Sequence, residues 1–281
     1  MNDFATRLPA ALQRQARFER LGPSGVPALL AHPDWERPAP LVLWMHGRTV
    51  SKELDNGRYL RWIRAGIAAC AIDLPGHGER RDEAWQTPER TPDLIAQGLR
   101  EVDEVIEALS DRRFEGVIDL GRLAIGGMSA GGMVALRRLC ETNPPHPFVC
   151  GAVEATAGNL GMLYGHVPAG GAAAPGRVRH SAERIAPVDP MRHIEGWRHI
   201  GLLALHSRAD EVVPVACIES FVEALRARAR ARGENPAEIE LRTWERTGAP
   251  HEHNGFGLLA NEAKNIQLEF LTRWLRPGPV R

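Results

Sequence analysis

The chain has 281 residues, 43% of them hydrophobic, and its 35 basic residues equal its 35 acidic residues in number. This length and composition allow one sizeable core, so we expect a single domain spanning residues 1–281. The balanced charge gives no global field that would gather nucleic acid or an acidic membrane surface, which favours a small, largely uncharged partner.

The cysteines and the chain start bear on the compartment. The four cysteines are far apart, show no C-x-x-C spacing and are expected to be reduced core residues. They are Cys70, Cys140, Cys150 and Cys217. The first 22 residues mix charges into every turn, and no later stretch approaches transmembrane length. We therefore expect a cytoplasmic protein without a membrane partner; the sequence leaves its oligomeric state open, a homodimer included.

Short apolar runs alternate along the chain with longer segments of helical periodicity. Strands are expected at 26–32, 41–45, 67–74, 123–127, 148–155, 202–206 and 239–244. Helices are expected at 58–65, 93–112, 130–140, 216–231 and 262–275. This alternation predicts an α/β fold, with a mostly parallel central sheet and helices on both faces.

One segment interrupts this alternation. Residues 158–184 include the run VPAGGAAAPGRVRHS, which has too much Gly, Ala and Pro for a regular element and too few large apolar residues for a core. Because the segment is inserted between two core strands, it is a candidate lid over a pocket. A loose surface loop is the alternative.

The pentapeptide Gly127-Met128-Ser129-Ala130-Gly131 lies between a predicted strand and a predicted helix. The G-x-S-x-G pattern in this context is typical of a nucleophile elbow, a tight turn that exposes a serine hydroxyl. A glycine-rich turn that binds phosphate is the alternative. That alternative lacks the Lys and Ser/Thr of a phosphate-binding loop, so the pattern favours Ser129 as a catalytic nucleophile.

A serine nucleophile needs a histidine to accept its proton and a carboxylate to orient that histidine. With this type of elbow the acid and then the histidine follow in chain order. Asp210 comes just after the predicted strand 202–206, where such sheets place functional groups, and it is the expected acid. Asp210 as a mere helix cap and Glu154 as the acid remain alternatives, and Glu211 is expected to point elsewhere.

Two histidines follow the last predicted strand. His251 comes three residues after Gly248, a step typical of this loop, and is therefore preferred as general base over His253, which is expected to line the pocket instead. An H-x-H pair can also bind a metal, with His46 or His77 as further ligands, but no third ligand is indicated by the spacing. We expect no metal and no cofactor.

Two backbone N–H groups are expected to bind the oxyanion that forms during acyl transfer. One belongs to Ala130, which follows the nucleophile at the start of a helix. The other is assigned to Arg48, with Gly47 as the alternative, because the loop after strand 41–45 supplies it. His46 and the DLPGHGE run that contains His77 are expected to be structural.

The motifs HGRT, DLPGHGE, GGMSAGG, HSRADEVVP and TGAPHE occur in an order and spacing that resemble the α/β-hydrolase superfamily, over residues 26–276. Within it, the chain is similar to small bacterial carboxylesterases of the dienelactone-hydrolase and prolyl-oligopeptidase-like branch. The resemblance implies Ser129, Asp210 and His251 as a catalytic triad. Dienelactone hydrolases use cysteine at the position of Ser129, and oligopeptidases carry a propeller before the hydrolase part, so neither substrate class transfers directly.

These observations together predict a serine hydrolase that cleaves carboxylic esters with small or short acyl groups through an acyl-enzyme intermediate. Its partner would be a small-molecule ester. Acyl transfer or peptide hydrolysis with the same triad is an alternative, because the nucleophile motif does not distinguish acceptors or scissile bonds. A ligand-binding homologue without turnover is a further alternative.

Overall fold

Eight strands form one sheet in the computed structural model, which describes residues 8–164 and 178–276. The strands are β1 (Ala16–Leu21), β2 (Val26–Ala31), β3 (Ala39–Met45), β4 (Ala68–Ile72), β5 (Ile118–Met128), β6 (Phe148–Glu154), β7 (Gly201–Ser207) and β8 (Ile239–Trp244). Their order across the sheet is β1-β2-β4-β3-β5-β6-β7-β8. β2 is antiparallel to β1 and β4, and all other neighbours are parallel.

Helices cover both faces of the sheet, as the alternation of the sequence predicts. They are α1 (Ala10–Gln13), α2 (Asn56–Arg64), α3 (Thr91–Ala108), α4 (Ala130–Leu139), α5 (Leu160–Tyr164), α6 (Ala182–Ile185), α7 (Ala216–Ala231) and α8 (Ala260–Leu275). Side chains of α3, α4 and α7 belong to the core on one face, and those of α2 and α8 to the core on the other. The predicted α/β class is confirmed.

The central strand β3 shows how the sequence divides between the two faces. Leu41, Leu43 and Met45 are buried with the α3 and α4 side chains, whereas Val42 and Trp44 are buried with the α2 and α8 side chains. Successive residues of a strand point to opposite faces. A strand buried on both faces therefore consists of apolar residues without polar alternation, which explains why this run is so readily recognised as a strand.

The parallel strands β3, β5, β6, β7 and β8 all end at the same edge of the sheet. The loops that follow four of these strands carry Arg48, Ser129, Asp210 and His253. Residues more than 40 positions apart in the chain are thereby brought to one edge, which is where open α/β sheets place their ligand sites.

Two parts of the structure differ from the sequence prediction. β1 was not predicted because its sequence, ARFERL, is highly charged; it lies at the edge of the sheet, where most of its side chains are only partly buried or exposed. The interrupting segment also contains the short helices α5 and α6. Residues 165–177 of the predicted lid lie outside the described residues, so the lid stays a prediction.

Two simpler expectations concern the cysteines and the membrane. All four cysteines are buried in the core, as predicted. Within residues 8–164 and 178–276, no helix combines the length and the apolar character needed to cross a membrane.

Candidate active site

Ser129 occupies a strained turn between β5 and α4. Its backbone has φ 51° and ψ −117°, and residues other than glycine rarely adopt such a positive φ. The turn is tight: a Cβ at Gly127 would lie 2.6 Å from the Gly131 carbonyl carbon, and a Cβ at Gly131 would lie 2.3 Å from the Met45 carbonyl oxygen. Both glycines of the G-x-S-x-G pattern are thus required by close backbone approach.

The Ser129 hydroxyl lies beside a histidine and a carboxylate. His253 Nε2 is 3.0 Å from Ser129 Oγ, and His253 Nδ1 is 2.8 Å from Asp210 Oδ2. The Nδ1–H donates to the carboxylate, which leaves Nε2 free to accept the serine proton. A histidine between a hydroxyl and a carboxylate is an arrangement in which the acid fixes the tautomer of a base that can accept the hydroxyl proton.

Asp210 is fixed from several directions. Its Oδ1 accepts hydrogen bonds from the backbone N–H groups of Val212 at 2.8 Å and Val213 at 2.7 Å, and its Oδ2 also lies 3.3 Å from His206 Nε2. Burial alone would raise the pKa of Asp210, but the hydrogen bonds from His206, His253 and Val213 outweigh it and lower the pKa to about 2. The carboxylate is therefore ionised throughout the neutral range.

The prediction of His251 as general base is wrong on geometry. The His251 side chain is 68% exposed and its Nδ1 lies 3.3 Å from Glu211 Oε2, away from the serine. Both His251 and Glu252 have a positive φ, of 53° and 51°, so the loop turns sharply before it reaches His253. The step from Gly248 to a histidine does not reveal this turn, and His253 was placed only as a pocket-lining residue.

Glu252 holds the histidine loop in place, a role that the sequence analysis missed. Its carboxylate accepts hydrogen bonds from the Thr247 N–H at 2.6 Å, the Thr247 hydroxyl at 2.9 Å, the Gly248 N–H at 2.9 Å and the Ser207 hydroxyl at 2.7 Å. The Thr247 N–H and the Ser207 hydroxyl contribute most to lowering the pKa of Glu252 to about 2. Glu252 thereby connects the loop that carries His253 to the end of β7.

The loop after β3 lies against the nucleophile. A Cβ built on Gly47 would be 3.6 Å from Ser129 Cβ, so the backbone of this loop contacts the elbow directly. Ala130 is the first residue of α4, and the first N–H groups of a helix have no intrahelical acceptor. Arg48 lies in a loop, and its backbone N–H donates no hydrogen bond to a described residue. Both predicted oxyanion donors therefore remain available for a ligand.

His46 supports this loop, and His77 is held within the turn after β4, which agrees with the structural roles expected of both. His46 Nδ1 lies 2.6 Å from the Gly47 carbonyl oxygen, and its Nε2 accepts from the Leu74 N–H at 3.0 Å. Burial lowers the pKa of His46 to about 4, so the ring is neutral and can accept that hydrogen bond. His77 Nδ1 donates to the Pro75 carbonyl at 2.8 Å. Within the described part of the chain, no group of His, Cys, Asp or Glu side chains is arranged to bind a metal.

A cavity of about 570 Å³ opens over Ser129 and His253. Its volume is in the range typical of small-molecule sites. Apolar side chains such as Met128 and Phe256 line it together with charged ones. The charged residues are Arg48, Asp55, Arg58, Glu154 and Lys264.

A buried ion pair forms part of the cavity wall. Both oxygens of Glu154 accept from Arg58, with Nη1···Oε1 and Nη2···Oε2 distances of 2.7 Å, and Gln267 Nε2 donates to Glu154 at 3.2 Å. Glu154 is therefore engaged with Arg58, not with the histidine next to Ser129. The alternative that Glu154 is the triad acid is excluded by this geometry.

Comparison with known proteins agrees with this architecture. A sequence model of the prolyl oligopeptidase family matches residues 58–276. Esterase YjfP of Escherichia coli (strain K12) is 27% identical over 201 residues, which cover 67% of this chain and 76% of that protein.

Two solved structures extend the comparison to nearly the whole chain. TT1662 from Thermus thermophilus is 25% identical with a TM-score of 0.65, over 92% of this chain and 98% of that one. The Pyrococcus furiosus esterase Pf2001, at 20% identity, has a TM-score of 0.60 over 92% of this chain and 93% of that one, which shows a shared fold.

These similarities establish two predictions from the sequence. The fold is the α/β-hydrolase fold, and the protein is an enzyme of the hydrolase class, of the esterase-like serine hydrolase type. The resemblance that the five sequence motifs indicated is thereby confirmed.

Proposed function

The chain belongs to the prolyl oligopeptidase family, and we propose that it hydrolyses carboxylic esters with Ser129 as nucleophile, His253 as general base and Asp210 as orienting acid. The observation that carries this proposal is the continuous chain of hydrogen bonds from Ser129 Oγ through His253 to Asp210, at 3.0 and 2.8 Å. A nucleophile within reach of a base that is itself oriented by a third group is the arrangement that acyl transfer requires.

The reaction proceeds in two halves. Ser129 Oγ attacks the ester carbonyl while His253 Nε2 accepts its proton, and the N–H groups of Ala130 and Arg48 stabilise the oxyanion. His253 then gives the proton to the departing alcohol, which leaves an acyl group on Ser129. A water molecule, deprotonated by His253, attacks this acyl-enzyme, and the acid product leaves with the serine hydroxyl restored.

The cavity of about 570 Å³ has room for an ester with a small or short acyl group. The similarity to a protein named esterase supports ester rather than peptide substrates. Ester hydrolysis is also the less demanding reaction, because an alkoxide leaves more readily than an amide nitrogen.

The test is hydrolysis of 4-nitrophenyl acetate, butyrate and octanoate, together with alanyl-proline 4-nitroanilide as a peptide-like substrate. We expect turnover of the acetate and butyrate, and at least a roughly 10³-fold loss of kcat/KM in Ser129→Ala. Circular dichroism of the variant controls for folding. Equal turnover by wild type and Ser129→Ala would refute the nucleophile, and a preference for the anilide would replace the ester by a peptide substrate.

A further inference from the structure

Charged side chains are unusual in the wall of a cavity that binds neutral esters. Here the positive and negative charges of the wall are unequal in number. Among the residues that the structure describes, three basic ones line the cavity, Arg48, Arg58 and Lys264, against two acidic ones, Asp55 and Glu154. A singly charged anion would neutralise the one excess positive charge of these wall residues. The hydrogen-bond partners of each residue show where such an anion would lie.

The two carboxylates are already occupied. Glu154 is held by both terminal nitrogens of Arg58. Asp55 Oδ2 accepts the Trp44 indole N–H at 2.8 Å, and its Oδ1 lies 3.6 Å from Arg58 Nε. Arg58 thus pairs with both carboxylates and is itself buried, so this part of the wall has no free charged group for a ligand to bind.

Lys264 is different, because its donors are unused. Among the described residues, the Lys264 ammonium makes no hydrogen bond and no ion pair, although it lies on α8 facing the cavity. Burial lowers the pKa of Lys264 and the nearby Arg58 lowers it further, while the carboxylates of Asp55 and Glu154 oppose this shift without forming an ion pair with the ammonium. An ammonium group that is partly desolvated and without an acceptor gains most from an anionic ligand.

The composition of the chain gives a second reason to single out Lys264. Of the 35 basic residues only Lys52 and Lys264 are lysines. Lys52 is fully buried, and its compact ammonium forms ion pairs with three carboxylates, those of Asp73, Glu79 and Glu53, at 2.8, 2.7 and 3.0 Å. Of the two lysines, Lys264 is therefore the one whose ammonium forms no ion pair with a described carboxylate, and it lines the cavity.

Arg48, on the loop after β3, is the other basic residue of the wall without an acidic partner. Its Nη1 is buried and has no hydrogen-bond partner among the described residues. No acidic residue of the cavity wall pairs with it. The positive potential that Arg48 adds favours an anion anywhere in the cavity, while the free donors of Lys264 give it a binding point.

We propose that the preferred ester substrate carries a carboxylate or similar singly charged oxyanion away from the scissile bond, and that Lys264 binds this group as a specificity-determining residue. This inference rests on the proposed ester hydrolysis by Ser129.

The test compares esters that differ only in charge. One pair places the charge on the alcohol part, 4-acetoxybenzoate and its methyl ester. The other places it on the acyl part, mono-4-nitrophenyl adipate and 4-nitrophenyl hexanoate. We expect the anionic member of at least one pair to have the higher kcat/KM, by roughly 10-fold or more.

Variants then assign the effect to Lys264. In Lys264→Met we expect kcat/KM for that anionic ester to fall at least 10-fold, mainly through KM, with less than a threefold change for its neutral partner. Lys264→Arg should retain most of the preference. Arg100→Met, which removes one exposed charge from α3, is the matched control and should change neither ester.

The results separate this inference from the function on which it rests. Absence of turnover of all four esters would refute ester hydrolysis itself. Turnover with a preference for the neutral member of both pairs, or an equal effect of Lys264→Met on both members of the preferred pair, would overturn the anionic specificity and leave ester hydrolysis standing.

Discussion

The buried pair of Arg58 and Glu154 provides a sharp test of how the cavity wall is held together. Both side chains are almost completely buried, at 4% and 2% exposure, and they are joined by two 2.7 Å hydrogen bonds. Arg58→Met leaves the Glu154 carboxylate without a hydrogen-bonded cation, with Gln267 Nε2 at 3.2 Å as its remaining side-chain donor. A charge left uncompensated in the interior is strongly unfavourable.

We expect Arg58→Met to lower the free energy of unfolding by about 3–5 kcal/mol, the range measured when one partner of a buried pair is removed. For a domain of this size, that corresponds to a decrease in Tm of roughly 6–20 °C. Urea and thermal unfolding followed by circular dichroism at pH 7 measure both quantities.

The double variant Arg58→Met/Glu154→Leu distinguishes the stability lost with the ion pair from the stability lost by leaving a charge unpaired in the interior. Because it removes the unpaired carboxylate, it should be at least about 2 kcal/mol more stable than Arg58→Met, since well-packed apolar residues can replace a buried ion pair. Arg58→Met within about 1 kcal/mol of wild type, or a double variant no more stable than the single one, would refute this reasoning.

Two further predictions concern the carboxylates of the site. The pKa of Asp210 is lowered to about 2, so the ionised carboxylate stabilises the fold above its ordinary pKa near 4. This contribution of about 1–2 kcal/mol is lost as the pH falls from 4 towards 2. Asp210→Asn should therefore lose less stability than wild type between pH 5 and pH 3 in urea unfolding, and an identical loss would contradict the assignment. Glu252→Gln weakens the hydrogen bonds that attach the histidine loop at Thr247 and Ser207. We therefore expect kcat for 4-nitrophenyl acetate to fall roughly 10- to 100-fold with KM little changed. An unchanged kcat would show that Glu252 does not position His253.

Much of the fold could be predicted because its signals are local. The strand before Ser129 and the helix after it adjoin the glycines that the turn requires, so one pentapeptide predicts both the element boundary and the proposed nucleophile. Asp210 could be proposed as the acid for the same reason, since it follows directly on a recognisable buried strand. By contrast, β1 escaped prediction because an edge strand needs no apolar alternation on its exposed side.

The histidine could not be chosen in this way. His251 and His253 lie in the same loop, and which of them faces Ser129 depends on two successive residues with positive φ, at positions 251 and 252. In that conformation the Glu252 carboxylate accepts hydrogen bonds from the Thr247 N–H and from the hydroxyl of Ser207, which lies at the end of β7. Such a long-range contact leaves no periodic pattern in the sequence. The charged wall of the cavity escaped prediction for the same reason, because Arg58, Glu154 and Lys264 come from three separate elements.

The most direct test of the central claim compares the two histidines in one assay. We predict that His253→Ala reduces kcat/KM for 4-nitrophenyl acetate by at least about 10³-fold, because His253 Nε2 lies 3.0 Å from Ser129 Oγ. His251→Ala, at an exposed position in the same loop, should remain within about threefold of wild type. Near-wild-type activity of His253→Ala, with the loss transferred to His251→Ala, would contradict the account.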